Sequence, residues 1–129
     1  MTHELEVLRA ANALIGHFGS GEVEAYFAAF APQASFIFHQ HPDRLMSLEA
    51  YRQCWRDWER ETGFRVIACQ SSGQVVRMLG DTALFMHDVR TETETNTGRS
   101  IAYERESILF RQEPDGRWLA WHEHLSPAA

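Results

Sequence analysis

Residues 100–126 read SIAYERESILFRQEPDGRWLAWHEHLS, and this stretch decides the fold class. Ser100 to Arg111 and Arg117 to Leu125 alternate apolar and polar side chains with period two, as half-buried strands do, and Pro114-Asp115-Gly116 between them is turn chemistry. Such a hairpin has a register, because opposite residues share a face and opposite charges are favoured there. With Phe110 opposite Trp118, Ile108 meets Ala120, Glu106 meets His122 and Glu104 meets His124. The other face then pairs Leu109 with Leu119, Ser107 with Trp121 and Arg105 with Glu123. One face therefore carries Phe110, Ile108, Trp118 and Ala120 at one end and Glu104, Glu106, His122 and His124 at the other. Apolar walls with a few convergent titratable groups are the makeup of a ligand pocket.

Toward the N-terminus, Thr82 to Thr95 reads as the preceding strand. An even-numbered loop at Asn96 to Gly98 sets Ala83, Phe85, His87 and Val89 on the pocket face, whereas a three-residue loop turns His87 away. Phe64 to Leu79 is a long bent strand with a bulge near Ser72 and Gly73, and Gly80-Asp81 is a two-residue hairpin turn. Before Gly63 the period becomes helical. Leu48, Tyr51, Trp55 and Trp58 share one face of a helix that Ser47 caps and Gly63 closes. Ser35 to Gln40 is a short strand. Val23, Tyr26, Phe27 and Phe30 form a short helical stripe that Pro32 terminates, and Thr2 to about Phe18 presents a wide apolar helical face. Three helices and then an antiparallel meander make an α+β domain whose helices cover one face of the sheet.

The chain has 129 residues, enough for one domain, 1–129, and a formal charge of -6. All 12 basic residues are arginine, which excludes Schiff-base lysines and phosphate-loop lysines. The arginines are scattered, so nucleic acid is not an expected partner. No apolar run approaches the roughly 18 residues of a membrane span, and Met1 to Ala10 lacks the plan of a signal peptide. A cytoplasmic location, no membrane association and reduced Cys54 and Cys69 are expected.

A glutamate opposite a histidine is a base with an orienting carboxylate, which fixes the tautomer and raises the imidazole pKa. On this register His122 is the general base and Glu106 its orienting partner, with His124 and His87 polarising a substrate oxygen. Trp118, Phe110, Ile108, Phe85, Trp55, Trp58, Tyr51 and His39 are the candidate substrate-binding walls. The two HxH pairs, His39-Gln-His41 and His122-Glu-His124, invite a metal reading. The first runs into Pro42, however, and the carboxylate spacing downstream is wrong for a strand-based site, so neither metal nor cofactor is expected. With no lysine, the only pocket cations are arginines and protonated histidines, and any anionic ligand should bind more weakly as pH rises through the histidine range.

The order helix, short helix, FAPQASFIF strand, aromatic helix and meander ending DGRWLAWHEHLSP resembles the nuclear transport factor 2-like superfamily. Its SnoaL-like, ketosteroid isomerase-like branch and the association domain of calcium/calmodulin-dependent kinase II are the nearest likenesses. The resemblance implies a cone-shaped, cystatin-like roll around a deep pocket, dimerised through the outer sheet face. Leu109, Leu119, Trp121 and Leu125 would be the exposed apolar residues there. It also implies activities that include ketosteroid isomerases, polyketide cyclases and dehydratases, alongside non-catalytic scaffolds. The isomerases' aspartate base has no counterpart in Ala34-Ser35-Phe36-Ile37-Phe38-His39, where Phe38 stands in its place. The association domain's pocket arginines correspond to Val89 or Arg90 and to Ile108, so Arg90 is the near match. The expected function is acid/base isomerase, cyclase or dehydratase chemistry on a small apolar carbonyl compound. The alternative is a non-catalytic ligand-binding or oligomerisation module.

Overall fold

Thr2 starts the first helix: its hydroxyl accepts the Leu5 N–H at 3.2 Å, and Glu4 and Glu6 stand in the first turn where the helix dipole favours anions. The structure, a computed structural model, describes residues 2–128. Helix α1 (His3–Gly19) buries Val7, Ala11, Leu14 and Ile15, the stripe set by three- and four-residue spacing. Helix α2 (Val23–Phe27) is a single short stretch that buries Tyr26 and Phe27. The helical stripe does not run on to Pro32, because the chain turns extended at Phe30 and enters strand β1 (Phe30–Phe38). Pro32 is accommodated there because β1 is an edge strand whose ladder is interrupted between Phe30 and Ser35. Ser47 caps α3 (Leu48–Thr62) by accepting from Ala50 N–H at 3.1 Å, and Gly63 closes it in the left-handed conformation at φ 67°.

Four long strands follow: β2 (Arg65–Leu79), β3 (Thr82–Thr95), β4 (Gly98–Gln112) and β5 (Trp118–Pro127). They form an antiparallel meander, and the sheet order is β1-β5-β4-β3-β2. The sheet is mixed rather than wholly antiparallel, because β1 lies parallel to β5. No hairpin joins those two strands, so local sequence leaves their relative direction open. The bulge near Ser72 lies between Ser72 and Val75, and with a second irregularity between Val66 and Ala68 it bends β2. The fold is therefore α+β, with the helices packed on one face of a curved five-stranded sheet.

Thr95 pairs with Gly98, so the β3–β4 loop has two residues and His87 joins Ala83, Phe85 and Val89 on the helix-facing side. The β4–β5 register departs from the sequence reading in two steps. Phe110 faces Ala120 rather than Trp118, because Glu113 N–H bonds Arg117 C=O at 2.7 Å and leaves only Pro114 to Gly116 as the loop. That shift of two residues preserves the faces. Beyond it, Leu109 pairs with His122, so Trp121 is an extra, bulged residue. One extra residue inverts every following side chain. Glu123 and Leu125 thus turn inward, and His122 and His124 turn outward.

Phe30, Phe36, Phe38, Tyr26, Phe27, Tyr51 and Trp55 interlock as an aromatic core between β1, α2 and α3. Among the described residues no helix is long and apolar enough to cross a membrane.

Candidate functional site

Between the helices and the inner sheet face lies a cavity of about 340 Å³. Helix α1 supplies Leu14, Ile15 and Phe18 to its wall, and Tyr51, Trp55 and Trp58 come from α3. The sheet supplies His87 and Val89 from β3, Glu104 and Glu106 from β4, and Glu123 from β5. Inward alternation along β4 brings Glu104 and Glu106 to the wall, and the Trp121 bulge adds Glu123 beside them. Three carboxyl groups thus converge on an apolar space whose lining contains no arginine.

Glu123 is 4% exposed. Burial pushes its carboxyl well above the ordinary carboxylate range, and the charge of Glu106, a hydrogen bond to Glu106 and the charge of Glu104 push in the same direction. Glu123 therefore keeps its proton in place beside Glu106. Glu106 Oε1 lies 2.7 Å from His87 Nε2, and His87 Nδ1 lies 2.7 Å from Ser71 Oγ, so both nitrogens of this buried imidazole are engaged. On the rim, Glu104 Oε2 accepts from Gln40 Nε2 at 2.8 Å and meets His39 Nε2 at 2.5 Å. Tyr26 and Tyr51 share a hydrogen bond at 2.9 Å, and desolvation holds both phenols protonated, well above their usual range.

Of the residues singled out from sequence, Glu106, His87, Tyr51, Trp55 and Trp58 meet at the cavity. Phe85, Ile108 and Phe110 share the inner face but are sealed into the core and do not line the cavity. Trp118 is taken up by α1, its Nε1 donating to Glu6 Oε1 at 3.1 Å. His39 stands at the rim through Glu104. His122 and His124 are a correction: the Trp121 bulge carries both to the outer face. There His122 Nδ1 lies 2.8 Å from Ser35 Oγ, and desolvation with the neighbouring His124 pulls its pKa below the usual histidine value. The Glu106–His122 and Glu104–His124 pairings therefore do not form, and His87 takes the place of an imidazole beside Glu106.

Leu125, expected on the outer face, also lines the cavity. Arg90 lies over the Tyr103 ring at 6.0 Å and is not in the wall. Cys54 and Cys69 are free thiols, and burial pushes Cys69 up to about 11. Among the described residues no three or more His, Cys, Asp or Glu side chains are placed so that they could hold a metal ion.

The sequence reading missed Glu123 and Tyr26 as wall residues. A signal for Glu123 exists. Trp118 and Ala120 are even-numbered and inward, whereas apolar Leu125 is odd-numbered, so burying all three needs one extra residue between them.

The raised carboxyl of Glu123 predicts a particular pH dependence of stability. In the unfolded chain the group titrates near 4.5, and in the fold it holds its proton to higher pH. The folded state thus binds more protons above that value, and stability falls as pH rises toward the folded pKa. Glu123→Gln removes the effect. Urea denaturation should show the variant about 0.5–2 kcal/mol more stable than the parent near pH 8 and no more stable near pH 4. A difference independent of pH would contradict the assignment.

No curated protein matches the sequence. Solved structures do. A ketosteroid isomerase-like protein from Erwinia carotovora atroseptica superposes with a TM-score of 0.79 at 16% identity, covering 98% of this chain and 96% of that one. The calcium/calmodulin-dependent kinase II hub from S. rosetta gives 0.78 at 17% identity, covering 99% and 98%. A Catenulispora acidiphila protein in complex with S-DNPA gives 0.76 at 14% identity, covering 94% and 90%. At such identities these likenesses establish the nuclear transport factor 2-like fold. Residues 7–129 match the family model of the SnoaL-like domain, and the chain belongs to that family.

Proposed function

We propose that this protein is a small-molecule pocket enzyme performing acid/base chemistry, as an isomerase, cyclase or dehydratase, on a small apolar carbonyl compound. The observation that supports it is the carboxyl pair: Glu106 and Glu123 share a hydrogen bond on the wall of an apolar cavity, one tuned to keep its proton. Two like groups driven apart in this way take the roles of base and acid. Glu106 removes a proton from the carbon next to the carbonyl while Glu123 donates its proton to the carbonyl oxygen, giving an enol. The bond between the two carboxyls then returns the proton to Glu123 and regenerates the pair. His87, held by Ser71, is the positioning residue that donates to Glu106. The test is turnover of a panel of apolar ketones and enones by the parent and by Glu106→Gln.

A non-catalytic module is favoured by one observation, the near-complete superposition on a kinase hub. Binding without turnover across the panel would select it.

Self-association through the outer sheet face fits either reading. Leu84, Met86, Leu109, Leu119 and Trp121 lie there half-buried, with Ile101 and Tyr103 47% and 63% exposed. Sedimentation at micromolar concentration should give a dimer, and Leu109→Glu a monomer. A monomeric parent would reject the interface.

A further inference from the structure

The cavity holds a surplus of acceptors that the fold leaves without a cation. Its wall carries Glu104, Glu106 and Glu123 but no arginine, and the chain has no lysine to supply one. His87 and His39 serve Glu106 and Glu104, and Glu123 is left to satisfy itself against another carboxyl. Facing these groups from α3 are the aromatic rings of Tyr51, Trp55 and Trp58, and such faces attract cations. A second feature points independently to a missing occupant. Trp55 is 4% exposed, and among the described residues its indole Nε1 is the buried side-chain polar atom with no hydrogen-bond partner. The atom itself is closed off from the cavity, so an oxygen acceptor there pairs it only if the indole turns toward the space.

We propose that the cavity selects a small apolar primary amine that also carries a hydroxyl or carbonyl oxygen, the ammonium lying among Glu104, Glu106 and Glu123 and the oxygen toward Trp55. A primary ammonium has three donors and no acceptor, which matches a wall of carboxyl oxygens. Its charge replaces the proton that Glu123 keeps, so binding releases that proton to solvent. Anions are excluded for the same reason: a carboxylate would be desolvated against three others with no cation at hand.

The pH dependence follows from the same exchange. Glu123 faces Glu104 and Glu106 of β4, His87 of β3, Cys69 of β2, Tyr26 of α2 and Tyr51 of α3, with His39 and His41 after β1. None of these carries a permanent positive charge. Amine affinity must then rise from about pH 5 to about pH 8 as the proton becomes easier to displace.

This rests on the cavity being the ligand site, as proposed above, but not on its being catalytic, so probes that need not react keep the two readings separate. Three compounds share one skeleton: 2-amino-1-phenylethanol is the cation, 1-phenyl-1,2-ethanediol the neutral form and mandelate the anion. Calorimetric titration at about pH 7.5 should show the amine binding at least about tenfold tighter than the diol, with mandelate weaker still. Heats measured in phosphate and in Tris should differ by the number of protons released with the amine multiplied by the difference between the two buffers' protonation enthalpies. In Glu123→Gln that release should vanish and the preference for the amine over the diol should fall at least about tenfold. The ranking on the parent protein stands alone if the variant does not fold. Equal binding of amine and diol, tighter binding of mandelate, an amine preference untouched in folded Glu123→Gln, or no binding of any of the three would overturn the proposal. Turnover of ketones with no amine preference would overturn it and leave the catalytic reading intact.

Discussion

Replacing Glu106 with glutamine is expected to lower turnover by about 10²–10⁴-fold, the range that a positioned acid or base contributes. The substitution keeps the shape of the side chain and can still receive the hydrogen of His87 Nε2, 2.7 Å from Oε1 in the parent. It removes the one function glutamine cannot supply, acceptance of a proton. It also removes the negative charge that helps to hold Glu123 protonated, so Glu123 should titrate at lower pH and the pH–rate profile should change shape as well as height. A merely structural role would lower stability and leave the profile alone. His122→Ala is the matched control: its ring is on the outer face against Ser35, so turnover should stay within about twofold of the parent. If Glu106→Gln retained turnover within that margin, or if His122→Ala lost a hundredfold or so, the assignment of the pair would fall.

Phe36→Ala should be the most damaging single truncation in the fold, lowering stability by about 3–5 kcal/mol in urea denaturation. Phe36 is fully buried. Its ring lies 4.5 Å from Tyr51, 5.2 Å from Phe30 and 5.7 Å from Phe38, centroid to centroid. Truncation therefore leaves a void bordered by rings on two elements that cannot both collapse into it. The consequence reaches the site, because Tyr51 and Phe38 both line the cavity. Ligand affinity should weaken along with stability. A loss below about 1 kcal/mol would mean that β1 does not anchor the core.

Much of this architecture is local physics written in one dimension. Ser47 as cap and Gly63 as terminator bracket α3, because a hydroxyl satisfies an orphan N–H and only glycine takes φ 67° without strain. The Gly80-Asp81 turn and the Ser72 bulge follow from turn chemistry and an interrupted period. Glu106 was legible as a pocket residue because alternation along β4 holds from Ile108 to Glu104 without a break.

The failures are of one kind. Pro32 sits in a strand because that strand is an edge, and the parallel run of β1 beside β5 is set by no turn, since α3 and three strands separate them in the chain; neither fact is a property of neighbouring residues. The bulge at Trp121 matters most. It exchanges His122 and His124 for Glu123 at the cavity, and so replaces an imidazole site with a carboxyl pair.

By itself the sequence determined the α+β order, the four long strands of the meander to within two residues, the caps and a chemistry restricted to arginine, histidine and carboxylates, since each of these depends on a residue and its near neighbours. The tertiary structure alone decided which titratable groups meet. A strand's faces invert with each inserted residue, and only packing of Leu125 inward and Trp121 outward against Arg111 says where that residue is inserted.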